Sequence, residues 1–157
     1  MNSTTRGVLL GAAAGAAGTT ALNFVTYLDM AVRGRPASST PEDAVEALSG
    51  VTHLPVPGAA ETRSNRVQVL GAMTGLVAGV GIGALLGAAR ASGWRPGLAV
   101  GSAAATVGAL AGTNGPMTAL GVTDPRTWPA SSWVADIVPH LAYGAVTAAV
   151  LDRLDPT

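Results

Sequence analysis

The chain of 157 residues is long enough for one domain, and its 9 basic and 9 acidic residues cancel to a formal net charge of zero. Charged residues make up 11% of the chain against about 25% in soluble domains, and the mean hydropathy is +0.40. This composition argues against a disordered chain and favours a membrane protein. The absence of cysteine excludes disulfides and thiolate nucleophiles, and no basic patch stands out that would favour nucleic acid as a partner.

The first apolar segment, residues 7–30, predicts a membrane-spanning helix. Gly11, Gly15, Asn23 and Tyr27 lie at multiples of four residues, so one face is small at its start and polar at its end. A cleaved signal peptide is the alternative, because small residues suited to cleavage occur near residues 12–17. We favour a retained helix, since the apolar run continues well beyond that point.

Residues 31–66 form one long polar connection. Within it, Thr40 and Pro41 predict a helix start, with Thr40 as the N-cap and Pro41 in the first turn. Val45 and Leu48 give a narrow apolar stripe, and Gly50 is a natural stop. We therefore expect a short amphipathic helix, lying at the membrane surface or against the rest of the protein.

The segment at residues 67–89 carries no charge and predicts a central membrane helix, since about 20 apolar residues cross a hydrocarbon core of about 30 Å. In membranes, small residues let two helices approach closely. We expect this segment to pack against Gly11 and Gly15 of the first helix. The alternative is self-association as a homodimer or pore. The pattern is a glycine ladder with a spacing of four: Gly71, Gly75, Gly79, Gly83 and Gly87.

A tight turn at residues 90–96 follows, and its Trp94 and arginines are typical of a membrane interface. The third apolar segment covers residues 97–120. Near its end, Asn114 precedes Pro116, which cannot donate a backbone hydrogen bond. The sequence therefore predicts a kink or an opening of the helix at that point.

The fourth apolar segment, residues 133–151, carries ionisable side chains within a predicted span. Asp136 and His140 lie at i and i+4 on one helix face, and Tyr143 is near that face. Ionisable groups within a membrane span are costly and usually face other helices, so they are candidates for function. After this segment, Asp155 is expected in water.

These four apolar segments, connected in sequence order, predict an all-α fold. We expect an up-down four-helix transmembrane bundle that forms a single integral membrane domain. Most strongly polar side chains then fall in the same half of the membrane. One interpretation is a hydrogen-bonded cluster that holds the helices together; the other is a site that handles protons or a solute. The predicted intramembrane polar site comprises Asn23, Tyr27, Asn114, Asp136, His140 and Tyr143.

The last third of the chain resembles a known family. It is similar to the YagU-like family of small bacterial inner-membrane proteins in a pattern of three parts. These are Leu120-Gly-Val-Thr-Asp-Pro125, then tryptophan, then Asp136-Ile-Val-Pro-His-Leu-Ala-Tyr-Gly144. Residues 27–36 are also similar to small membrane proteins of actinobacteria. The resemblance implies the bacterial plasma membrane and an association with acid resistance, and it directs attention to Asp136 and His140.

Two functional hypotheses follow. The first is a multi-pass, non-enzymatic accessory component of the envelope, related to acid stress. The second is a small proton-linked transporter or channel with a site at Asp136 and His140. The sequence has no HExxH, nucleophile-elbow or P-loop motif, so we expect neither an enzyme nor a cofactor or metal. The expected partners are the lipid bilayer and, through the glycine ladder, a second copy of the chain.

Overall fold

The structure, a computed structural model, describes residues 2–156, and this part of the chain is helical with no β-strand. The predicted all-α class is confirmed. Helix α3 begins well before the predicted span, because nothing between residues 60 and 66 breaks it. Within the described residues the elements are α1 Ser3–Arg33, α2 Thr40–Thr52, α3 Ala60–Ala91, α4 Leu98–Ala119, a 3-10 turn at Pro125–Thr127, and α5 Ala130–Leu154.

Three helices of the described chain, α1, α3 and α5, are long and apolar enough to cross a membrane. Helix α4 is not among them, although its 22 residues include no charged side chain. Its frequent Gly, Ser and Thr residues, together with Asn114, lower its apolar character. The prediction of a membrane protein is therefore supported by three of the four predicted spans.

Helices α1 and α3 pack backbone to backbone through glycine. A Cβ atom built on Gly15 would lie 2.5 Å from the carbonyl oxygen of Gly79 and 3.0 Å from Cα of Gly83. A Cβ on Gly11 would lie 2.8 Å from Cα of Gly87. Residues with lower numbers in α1 thus lie beside residues with higher numbers in α3, which means that the two helices run antiparallel. Three ladder glycines, Gly79, Gly83 and Gly87, lie at this contact with the first helix.

The other two ladder glycines do not touch α1. A Cβ on Gly71 would lie 3.0 Å from the backbone of Pro41, at the start of α2, whereas a Cβ on Gly75 would meet nothing within 4 Å. The glycine ladder is therefore divided between two neighbouring helices and an open surface. Self-association through the open part stays a prediction.

Helix α2 forms as expected, but both of its predicted ends are displaced. Its N-cap is Ser39 rather than Thr40, and the Ser39 hydroxyl donates to Asp43 at 3.0 Å. The helix also continues past Gly50 to Thr52. It stops where His53 adopts a left-handed conformation with φ 54°. Glycine was therefore not needed to end this helix.

Helix α2 lies against the first half of α3. Val45 is buried at this contact, and Pro41 packs over Gly71. Arg63 of α3 donates two hydrogen bonds to Glu46 of α2, one of them at 2.5 Å to Oε1. The long polar connection is therefore fastened to the bundle and is not a free loop.

The core of the bundle is centred on Tyr143, which is only 1% exposed. Ala105 and Ala109 of α4 pack against its ring, and Leu22 of α1 and Ile82 of α3 pack around this cluster. Four helices thus meet at one tyrosine. The arrangement places the neighbouring turn of α5, which carries His140 and Asp136, against α4.

Candidate functional site

The polar site begins with a contact between α4 and α5. Nδ2 of Asn114 donates a hydrogen bond to Oδ2 of Asp136 at 2.8 Å. The two residues meet because α4 and α5 run antiparallel, which brings the end of one beside the start of the other. Helix α4 continues through Pro116 to Ala119, so of the two predicted alternatives, a kink or an opening, the opening does not occur.

His140 lies one turn further along α5 and is 7% exposed. Its Nδ1 is 2.7 Å from the carbonyl oxygen of Asp136 and 3.5 Å from the Asp136 carboxylate. Because a carbonyl oxygen can only accept, Nδ1 carries the hydrogen. In the neutral ring Nε2 is then an acceptor, and it is buried without a hydrogen-bond partner among residues 2–156.

Tyr143 extends the polar face of α5 into the centre of the bundle. Its hydroxyl donates to the carbonyl oxygen of Gly79 in α3 at 2.6 Å. The Thr106 hydroxyl of α4 lies 3.3 Å from the carbonyl oxygen of His140. These bonds connect α5 to two neighbouring helices, as the interpretation of a helix-joining cluster predicts.

The two α1 residues of the predicted site are placed differently. Tyr27 is 63% exposed. Asn23 is half-buried, and neither side chain hydrogen-bonds to the other site residues within the described chain. The structure therefore brings together Asn114, Asp136 and His140, with Tyr143 deeper in the bundle.

A charged cluster at the opposite end of the bundle was missed. Asp155 is 8% exposed, so the expectation that it lies in water was wrong. It pairs with Arg6 at 2.6 Å and with Arg95 at 2.8 Å, and its carbonyl oxygen accepts from Arg90 at 2.7 Å. The hydrogen bond from Arg6, followed by the charges of Arg95 and Arg6, lowers the pKa of the Asp155 carboxyl.

This cluster joins the ends of α1, α3 and α5. Arg6, the Arg90–Arg95 turn and Asp155 lie far apart in sequence, so no local motif reveals the cluster. Only the antiparallel pairing of α1 with both α3 and α5 would have brought Arg6 to Arg90 and Asp155. In residues 2–156, no group of three or more His, Cys, Asp or Glu side chains is placed to hold a metal ion.

Comparisons with protein-family models, with curated proteins and with solved structures each found no match to this chain. The resemblance to the YagU-like family therefore stays a prediction based on the motifs between residues 120 and 144. The function is accordingly inferred from the geometry of the site.

Proposed function

We propose that this protein is a four-helix transmembrane bundle of the bacterial plasma membrane, with alternating helix direction, and that it acts as a non-enzymatic accessory component of the envelope. The observation that supports the membrane location most directly is that large apolar side chains lie on the outside of the bundle and small residues lie between the helices. Phe24, Val77 and Leu85 are 68%, 69% and 67% exposed, whereas alanine and glycine fill the contacts between helices. Such a surface suits lipid, because a soluble protein rarely exposes large continuous apolar patches.

Helix α4 is the fourth span in this proposal. At a rise of about 1.5 Å per residue it is about 33 Å long, enough to cross the hydrocarbon core. It follows α5 along its length: Gly101 lies beside Ala148, and Asn114 beside Asp136. If α5 crosses the bilayer, the uncharged α4 must lie in the bilayer next to it.

The absence of native cysteine makes the topology directly testable with single-cysteine variants. Ser38, Ser92 and Thr127 are exposed and lie in the three successive connections between the four proposed spans, α1, α3, α4 and α5. Four spans predict that cysteines at positions 38 and 127 are labelled from one side of the membrane and a cysteine at 92 from the other. Labelling of positions 92 and 127 from the same side would mean that α4 does not cross.

The accessory role is supported by the closed centre of the bundle. Tyr143 fills the space between four helices and is held by its bond to Gly79, so the interior is packed at its middle. The resemblance to the YagU-like family adds acid stress as the expected setting. The test is acid survival of a deletion strain with and without the restored protein; equal survival would contradict the acid-stress role.

A proton-linked transporter or channel is the second candidate, and one observation favours it. The buried Nε2 of His140 has no partner within residues 2–156, and the Asp136 carboxylate lies close to the same ring. This pair could take up and release a proton. Proton flux into liposomes should then exceed that of protein-free liposomes and fall in His140→Ala.

His53 supplies the matched control, because it is the only other histidine and is exposed in the α2–α3 connection. Flux that is lost in His140→Ala and kept in His53→Ala would favour the transporter over the accessory role. Flux no faster than in protein-free liposomes would remove the transporter.

A further inference from the structure

An open groove lies between the start of α3 and the connection that joins α3 to α2. Residues 54–57 of the connection form one wall, and side chains of α3 between Thr62 and Leu70 form the other. The volume of this α2–α3 groove is about 670 Å³, which is typical of a site for a small molecule. Its lining residues include no acidic side chain.

The polarity of the α2–α3 groove changes along α3. Thr62 and Asn65 line its outer part, whereas Val69 and Leu70 line its inner part. The predicted membrane span begins at residue 67, between these two parts. Residues 62 to 70 cover about 12 Å of the helix axis at about 1.5 Å per residue. The groove therefore has the same order as a phospholipid, with polar groups outside the hydrocarbon and apolar groups within it.

The apolar walls of the groove are not covered by other parts of the described chain. Leu54 of the connection and Val69 and Leu70 of α3 are all exposed. Burial of apolar surface is favourable roughly in proportion to the area removed from contact with water. An acyl chain that lies along these side chains would bury them.

Arg66 lies at the boundary between the polar and the apolar part of the groove, and its side chain is exposed. Its Nη1 donates to the carbonyl oxygen of Pro57 at 2.7 Å, which holds the guanidinium against the groove wall. Arg66 forms no salt bridge within residues 2–156. The other arginines on this side of the proposed bundle each pair with a carboxylate; they are Arg33, Arg35, Arg63 and Arg126.

We propose that the α2–α3 groove binds an anionic phospholipid, with its phosphate at Arg66 and one acyl chain along Val69 and Leu70. The Nε and Nη2 groups of Arg66 donate to no other residue within residues 2–156, so they are available to phosphate oxygens. Hydrogen bonds between arginine and phosphate are strong because both groups are charged. A free phosphate ion would use Arg66 but would leave the apolar walls uncovered. The site depends on the membrane location of α3 and not on the accessory role.

The test uses the purified full chain in a neutral detergent. Phosphatidylglycerol, phosphatidylcholine and inorganic phosphate are titrated separately, and binding is measured by native mass spectrometry and by the shift in Tm. Phosphatidylglycerol should bind saturably and about fivefold more tightly than phosphatidylcholine, the difference expected for one arginine near an anionic headgroup. Equal binding of the two lipids would overturn the proposal. Stabilisation by inorganic phosphate as large as that by phosphatidylglycerol would also overturn it. Neither result changes the cysteine labelling that tests the four spans.

Variants of Arg66 locate the phosphate. Arg66→Gln should abolish the preference for phosphatidylglycerol, and Arg66→Lys should keep part of it because the charge remains. Arg126→Gln is the matched control, since it removes the same charge from the same side of the proposed bundle, where Arg126 pairs with Asp124. An Arg126→Gln loss as large as that of Arg66→Gln would show only general charge attraction and would refute the site. Complete loss in Arg66→Lys would assign the effect to the bond with Pro57 and would refute the phosphate contact.

Leu54 tests the position of the acyl chain. Leu54→Ser should weaken the binding of both lipids about threefold, because both place the same kind of chain in the groove. Val51→Ser is the control: Val51 is 69% exposed against 73% for Leu54, but it lies in α2 and does not line the groove. Equal weakening by the two variants would refute the acyl-chain contact. A lipid-free dimer that Leu54→Ser dissociates would assign the groove to a second copy of the chain and would overturn the proposal.

Discussion

The contact between α1 and α3 predicts a large difference between two glycines of the same ladder. A Cβ atom on Gly83 would lie 2.5 Å from Cα of Gly15 and 2.7 Å from its nitrogen, and ordinary contact begins at 3.4 Å. Gly83→Ala therefore forces the two backbones apart by about 0.9 Å at this point. Overpacking of this kind costs about 1–3 kcal/mol.

Gly75 is the matched control because it occupies the same helix and the same ladder, but a Cβ atom added there would meet nothing within 4 Å. Replacing glycine by alanine in a helix also gains about 0.5–1 kcal/mol of helix propensity. That gain is common to Gly75→Ala and Gly83→Ala. The difference between the two variants therefore isolates the packing cost, which we expect to be about 1–3 kcal/mol.

The measurement is the free energy of unfolding in detergent micelles, followed by far-ultraviolet circular dichroism. Gly75→Ala should be as stable as the parent chain or more stable, and Gly83→Ala clearly less stable. Equal stability of the two variants would show that the α1–α3 backbones are not in contact. A less stable Gly75→Ala would instead place a partner on the open face of α3.

Three further predictions concern the polar groups. Tyr143→Phe removes the hydrogen bond to α3 and should lower the unfolding free energy by about 1 kcal/mol in the same assay; an unchanged value would mean that the bond is absent. A double-mutant cycle on Asn114→Leu and Asp136→Leu should give a coupling of about 0.6 kcal/mol, and zero coupling would separate the two side chains. The pKa of Asp155 is lowered in the folded state, chiefly by Arg6, so its stabilising effect is present above its usual value of 3.8 and is lost as pH falls through the lower folded value. Unfolding titrations below pH 3.8 should therefore be flatter in Asp155→Asn, and identical curves would contradict the ion pair.

The sequence was sufficient for the helices and for the general placement of the polar residues. Long uncharged runs predicted the apolar helices, and the reversal of direction at each connection placed Asn114 and Asp136 in the same half of the membrane, without deciding which polar side chain would contact Asp136. The burial of Asp155 was not predictable in this way. It depends on how three helices align at their ends, and a polar side chain at the end of a helix is otherwise expected in water.

Helix geometry explains why Tyr27 of α1 does not lie on the same face as Gly11. With about 3.6 residues per turn, a spacing of four advances about 40° around the helix at each step. From Gly11 to Tyr27 the four steps add up to about 160°, so Tyr27 points away from the face that Gly11 presents to α3. This rotation accounts for the exposure of Tyr27.

The same rotation separates the two ends of the glycine ladder. Gly71 and Gly87 are also four steps apart, and they face α2 and α1 respectively. A strict spacing of four therefore cannot describe a single interface between straight helices; it describes a strip that passes from one neighbour to the next. Gly75 lies where the strip changes partner, which explains its open surroundings. The regular spacing predicted that α3 would pack closely, but only the positions of the other helices decide which glycine meets which neighbour.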